Sequence, residues 1–100
     1  MYSKPRPLTK CLRADISIQG SEFNYSTPRE YLNNIQDYKE VEIALFSKEG
    51  KWLHPDDDSV FEKFSRLEEL VSVHENGPTA PAAGYVPIDL VNDLVDYLNQ

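Results

Sequence analysis

Hydrophobic and polar positions alternate from Leu12 to Gln19, with Leu12, Ala14, Ile16 and Ile18 separated by Arg13, Asp15, Ser17 and Gln19. Period two with polar partners predicts a strand that buries one face. Gly20-Ser21 follows, and alternation resumes from Glu22 to Ser26 with Phe23 and Tyr25. A two-residue loop led by glycine predicts a hairpin turn in which Ile18 faces Phe23 and Ile16 faces Tyr25. Thr27-Pro28-Arg29-Glu30 has the pattern of a capping box with proline at the first helical position. Tyr31, Leu32 and Ile35 then fall at helical spacing, so a short helix is expected over about 28–37. From Glu40 to Ser47 the period returns to two, with Val41, Ile43 and Leu45 on one face and Ala44 and Phe46 on the other, as in a strand covered on both sides. Lys48 to Lys51 reads as a turn, and Trp52-Leu53 as a short returning strand that stops by Pro55.

Ser59-Val60-Phe61-Glu62 repeats the capping-box pattern ahead of an apolar stripe of Val60, Phe61, Phe64 and Leu67. Leu70 to His74 reads as a fifth strand, closed by a turn at Asn76-Gly77-Pro78, and Thr79 to Gly84 as a surface loop. Leu90, Val91, Leu94, Val95 and Leu98 define a closing amphipathic helix of about three turns from Pro87 onward. The expected fold is α+β: one small domain over residues 11–100, a mixed sheet of about five strands with a helix on one face, preceded by a loose basic arm over 1–10. The order, ββαββαβ plus a C-terminal helix, resembles that of β-grasp proteins. If 22–26 is loop, the order becomes ferredoxin-like, βαββαβ plus the same helix.

Composition narrows the function classes. One hundred residues make one ordinary domain, and 40% hydrophobic with 27% charged residues is globular usage. No apolar run approaches the roughly 18 residues of a membrane span, and the first ten residues lack the apolar stretch of a signal peptide. The single cysteine, Cys11, excludes an intrachain disulfide or a cysteine-held cluster, and fits a reducing, cytoplasmic setting. The net charge of −7 is unevenly placed: the first 13 residues carry +4, leaving −11 for the other 87. After Arg66 there is no lysine or arginine, while Glu68, Glu69, Glu75, Asp89, Asp93 and Asp96 follow. Such a body repels phosphate, so direct binding of nucleic acid or anionic membrane is not expected.

Sequence patterns for chemistry are few. His54-Pro55-Asp56-Asp57-Asp58 is the densest polar cluster, able in principle to hold a small ligand or a divalent cation with His74 in support. It lacks a calcium-loop spacing, and carboxylates ahead of a helix N-terminus are favoured there by the exposed N–H groups alone. No nucleophile elbow, phosphate loop or dinucleotide fingerprint is present, so neither catalysis nor a cofactor is expected. Phe23, Tyr25, Tyr31, Phe46, Phe61 and Phe64 fall at core parity. Trp52 beside a turn and Tyr85 ahead of the last helix are candidate interface anchors.

The last helix has the most asymmetric surface. Asp89, Asp93 and Asp96 share one face, with no cation at i+3 or i+4 to neutralise them. The apolar row opposite is wide enough to pack on the sheet or to pair with a second copy. These features together predict a small non-catalytic protein-interaction module, such as an inhibitor, an immunity or antitoxin-like protein or an adaptor subunit. It would bind a basic partner surface through Asp89, Asp93, Asp96, Trp52 and Tyr85. The alternative is a ligand- or metal-binding domain built on His54 and Asp56–Asp58.

Overall fold

The computed structural model describes residues 5–75 and 81–100. Its strands are β1 (Thr9–Lys10), β2 (Asp15–Gln19), β3 (Glu40–Phe46), β4 (Trp52–Leu53) and β5 (Ala83–Pro87), and its helices are α1 (Leu67–Glu75) and α2 (Ile88–Leu98). Short 3₁₀ turns stand at Ile35–Asp37 and Ser59–Phe61. The class is α+β, with an open five-stranded sheet. β3 is its axis. β2 pairs along one edge of β3, while β5 takes the N-terminal part of the other edge and β4 the C-terminal part. All these pairings are antiparallel, including β1 with β2, so the mixed sheet expected from sequence is not what forms.

The alternation of β3 carries directly into packing. Val41, Ile43 and Leu45 are buried, as are Ile16 from β2, Val86 from β5 and Leu90, Leu94 and Leu98 from α2. The apolar row of α2 is therefore spent inside the domain's own core. Ala44 is buried on the second face and Phe46 half-buried, in keeping with partial cover there.

The element order survives in outline, but several of its segments differ. Residues 22–26 are not a strand: β2 pairs with β3 and β1, and the chain after Gly20 turns away. The Ser21 hydroxyl donates to Asn24 Oδ1 and accepts the Phe23 N–H, while the Asn24 amide donates to Glu42, and these bonds hold a loop. Gly20 serves close approach rather than a hairpin turn, since a Cβ there would lie 2.4 Å from Tyr38 Cζ. Phe23 and Tyr31 are accordingly exposed, not core.

The helix expected over 28–37 reduces to the turn at Ile35–Asp37, because tertiary partners take the groups a helix would use. Buried Tyr38 donates its hydroxyl to the Glu30 carbonyl (2.7 Å) and accepts the Leu32 N–H (2.8 Å). The Arg6 guanidinium reaches the Leu32 carbonyl. The Thr27 hydroxyl bonds Glu40 instead of capping, and the Thr27–Pro28 peptide is cis.

The segment read as a fifth strand, Leu70 to His74, lies in α1, with Leu70 and His74 buried at i and i+4. Residues 83–84, read as loop, open β5 instead. The turn at Asn76-Gly77-Pro78 lies outside the described residues. The arm is docked from residue 5 onward: Arg6 backbone and Gln19 side chain exchange two hydrogen bonds of 2.7 and 2.8 Å, and the Arg6 guanidinium stacks over Tyr31.

Candidate functional site

The acidic face of α2 is not uncompensated. Arg66, one residue ahead of α1, donates from one guanidinium nitrogen to Asp93 (2.8 Å) and pairs with Asp89 (2.9 Å), and holds Glu69 through the rest of its fork. Those carboxylates, Glu69 first, push the Arg66 pKa further up, and Arg66 holds the Glu69 carboxyl below its ordinary range. The spacing rule failed because the neutralising cation comes from another element, 27 residues from Asp93. Asp96 lines a groove of about 730 Å³ together with Arg13, Lys63, Phe64 and Tyr97.

Tyr85 is exposed on β5 at φ +53°, in the left-handed region that a bulky residue seldom adopts. The β3–β5 register shifts between the Val41–Val86 pair and the Ile43–Ala83 pair, which places Gly84 and Tyr85 in a bulge. Its ring meets Tyr25 edge to face at 5.6 Å, and its N–H donates to the Tyr25 carbonyl. Trp52 is 54% exposed although it packs against Phe46 at 4.6 Å between ring centres. The two anchors thus stand at opposite ends of one edge of β3.

The structure also brings together two histidines that nothing in the sequence connects. His74, read as a surface residue, is 3% exposed, and its ring lies edge to face with His54 at 5.7 Å. His74 Nδ1 bonds the Leu70 carbonyl at 2.8 Å, and Nε2 is buried with no partner among the described residues. Burial pushes the His74 pKa down, with His54 adding to that, while the Leu70 bond works against it. His54 Nδ1 accepts the Asp56 N–H, and Asp58 accepts the Val60 N–H as the N-cap of the second 3₁₀ turn, the place expected of Ser59. Among the described residues no three His, Cys, Asp or Glu side chains converge as a metal site would require. Cys11 is a core residue whose thiol is pushed up mainly by burial.

Two acidic depressions draw on the 54–58 turn that carries His54. A shallow depression of about 300 Å³ on the outer side of α1 exposes Leu67 and Val71 among Asp56, Glu68 and Glu75. A second, of about 240 Å³, lies on the other side of the same turn, with Trp52, Leu53 and His54 beside Asp57 and Asp58. Among the described residues neither is lined by a lysine or an arginine. The sequence reading placed Leu67 in an apolar stripe and Glu68 and Glu75 in the acidic last third without joining them to Val71 as one surface, although Leu67 and Val71 at i and i+4 between glutamates are a legible half-exposed stripe once the segment is read as helix.

No protein-family description matches this chain, and comparison with curated proteins and with solved structures likewise finds no match.

Proposed function

We propose that this protein is a small non-catalytic interaction module that binds a basic protein surface, in the manner of an inhibitor, an immunity or antitoxin-like protein or an adaptor subunit. The observation that carries the reading is a pair of depressions that draw on the 54–58 turn, one with Trp52 and Leu53 beside Asp57 and Asp58, the other with Leu67 and Val71 beside Asp56, Glu68 and Glu75, neither lined by a lysine or an arginine among the described residues. Apolar anchors within a charged rim suit a protein interface, and the rim charge selects a basic partner. The face on α2 contributes less than its sequence suggests, since Arg66 already occupies Asp89 and Asp93. Tyr85 supports the reading independently. Left-handed backbone at a bulky residue costs about 1–3 kcal/mol, and an exposed ring held at that cost is suited to contact.

Affinity capture from the native host, followed by mass spectrometry, tests the reading. The expected result is a basic protein retained by the parent chain, released by salt, and lost with Asp56→Lys/Glu68→Lys/Glu75→Lys. Asp89→Lys/Asp93→Lys/Asp96→Lys is expected to weaken capture less. Equal capture by all three chains, or retention of no basic protein, overturns the proposal. A divalent cation that raised the melting temperature at millimolar concentration would favour a metal site at the His54 turn instead.

A further inference from the structure

We infer that the depression beside Trp52 receives an arginine side chain of the partner, an inference that rests on the interaction reading above. Its volume of about 240 Å³ is below the roughly 300–1,000 Å³ of sites that enclose a free small molecule, and suits the end of one side chain. The walls define the chemistry. Trp52 is braced by Phe46 on one side and 54% exposed, which leaves indole surface open toward the depression it lines. Asp57 and Asp58 stand at the same depression, and the bond from Asp58 to the Val60 N–H fixes where that carboxylate sits. The His54 ring is held in turn by the Asp56 N–H.

A flat aromatic surface next to carboxylates matches a guanidinium better than an ammonium. Guanidinium stacks on an indole through its planar face while its edge donates to carboxylate oxygens, and it sheds water more readily than the compact lysine head. The same chain already sets guanidinium groups over aromatic rings, with Arg13 4.1 Å from the centre of the Tyr97 ring, Arg6 4.3 Å from that of Tyr31 and Arg29 4.9 Å from that of Tyr25. In the pocket the aromatic and acidic halves are in place, and the cation is what the lining lacks.

Trp52 is the only tryptophan of the chain, so its emission reports on this pocket directly. Three acetylated lysine-rich peptides, identical except for arginine, lysine or citrulline at the central position, are titrated against the full chain. The arginine peptide is expected to give a saturable change in Trp52 emission, with binding about fivefold tighter than either of the others. Asp57→Asn/Asp58→Asn, which keeps an oxygen at the cap of the 3₁₀ turn, is expected to bring the three peptides within about twofold. Equal binding of all three to the parent chain overturns the arginine pocket yet leaves general recognition of basic surface standing. No saturable response to any of them overturns the pocket as well, while the capture experiment judges the wider reading separately.

Discussion

Arg13 closes the C-terminus of α2 on Tyr97. Its guanidinium stacks 4.1 Å from the centre of the Tyr97 ring and donates to the Tyr97 carbonyl, and its backbone N–H donates to the Leu98 carbonyl. A cation at this end opposes the partial negative charge of the last carbonyls, which α2 cannot do for itself because its last turn has no basic residue. Arg13→Ala is therefore expected to cost about 1 kcal/mol in urea unfolding and to speed amide exchange in the last turn of α2. Unchanged exchange at Leu98 and Asn99 would show that the cap is not the stabilising contact.

Arg66 ties the start of α1 to the exposed face of α2. Because Glu69, Asp89 and Asp93 stay largely in water, the bridges themselves contribute little. Their removal leaves Asp89 and Asp93 as a like-charge pair at i and i+4, unfavourable by about 0.5 kcal/mol. Arg66→Met is expected to lose stability at low salt and to recover part of it in 0.5 M salt, where the parent does not gain. Thermal unfolding at the two ionic strengths decides.

Gly20 is required by Tyr38 rather than by its own torsion angle. Gly20→Ala drives a Cβ to within 2.4–2.9 Å of Tyr38 ring atoms, an overpacking expected to cost about 1–3 kcal/mol. Tyr38→Phe leaves that space but orphans the Glu30 carbonyl and the Leu32 N–H, and is expected to cost about 1–2 kcal/mol with faster exchange over residues 30–38. If Gly20→Ala is neutral in chemical denaturation, the close approach is not what selects glycine.

His74 gives stability a dependence on pH whose sign follows from burial. Its pKa is lower in the folded chain than the ordinary value of about 6.5, so below that value the unfolded chain binds the proton more readily. The contribution is complete above about pH 6.5 and is lost as pH falls below it toward the folded value. The melting temperature is expected to drop between pH 7 and pH 5.5, and His74→Gln to flatten that drop. Asp15, held below its ordinary range chiefly by Lys48, adds a separate loss only at more acid pH, as its carboxylate protonates. A pH 5.5–7 slope that persists in His74→Gln would assign it to other groups.

The readings that held rest on strong local periodicity. β3 sets Val41, Ile43 and Leu45 at period two on one face, and α2 repeats Leu90, Leu94 and Leu98 at helical spacing, so each buries its apolar side in the conformation that its period fits. One that failed lies where apolar spacing fitted two periods. Leu70, Val71 and Val73 read as a strand, yet Leu67, Leu70, Val71 and His74 also follow a helix, and burial of His74 against His54 accompanies the second choice.

Of the interaction surface, the residue types were legible and their pairing was not. Trp52, Tyr85 and the aspartates of α2 could be picked out from the chain, but whether a carboxylate stands unpaired depends on cations that arrive from other elements. Charge interactions act through space, whereas the i+3 and i+4 rule sees only one helix.

By itself the sequence determined the class, the central strand, the last helix and the acidic balance of the body, because local period and composition suffice for these. Tertiary structure decided the rest. Tyr38 and Arg6 took backbone groups that a helix over 28–37 would have used, and Arg66 neutralised the stripe on α2. The turn at 54–58 packs its His54 ring against His74 of α1 and sets Asp57 and Asp58 beside Trp52, a meeting of distant segments that no local period encodes.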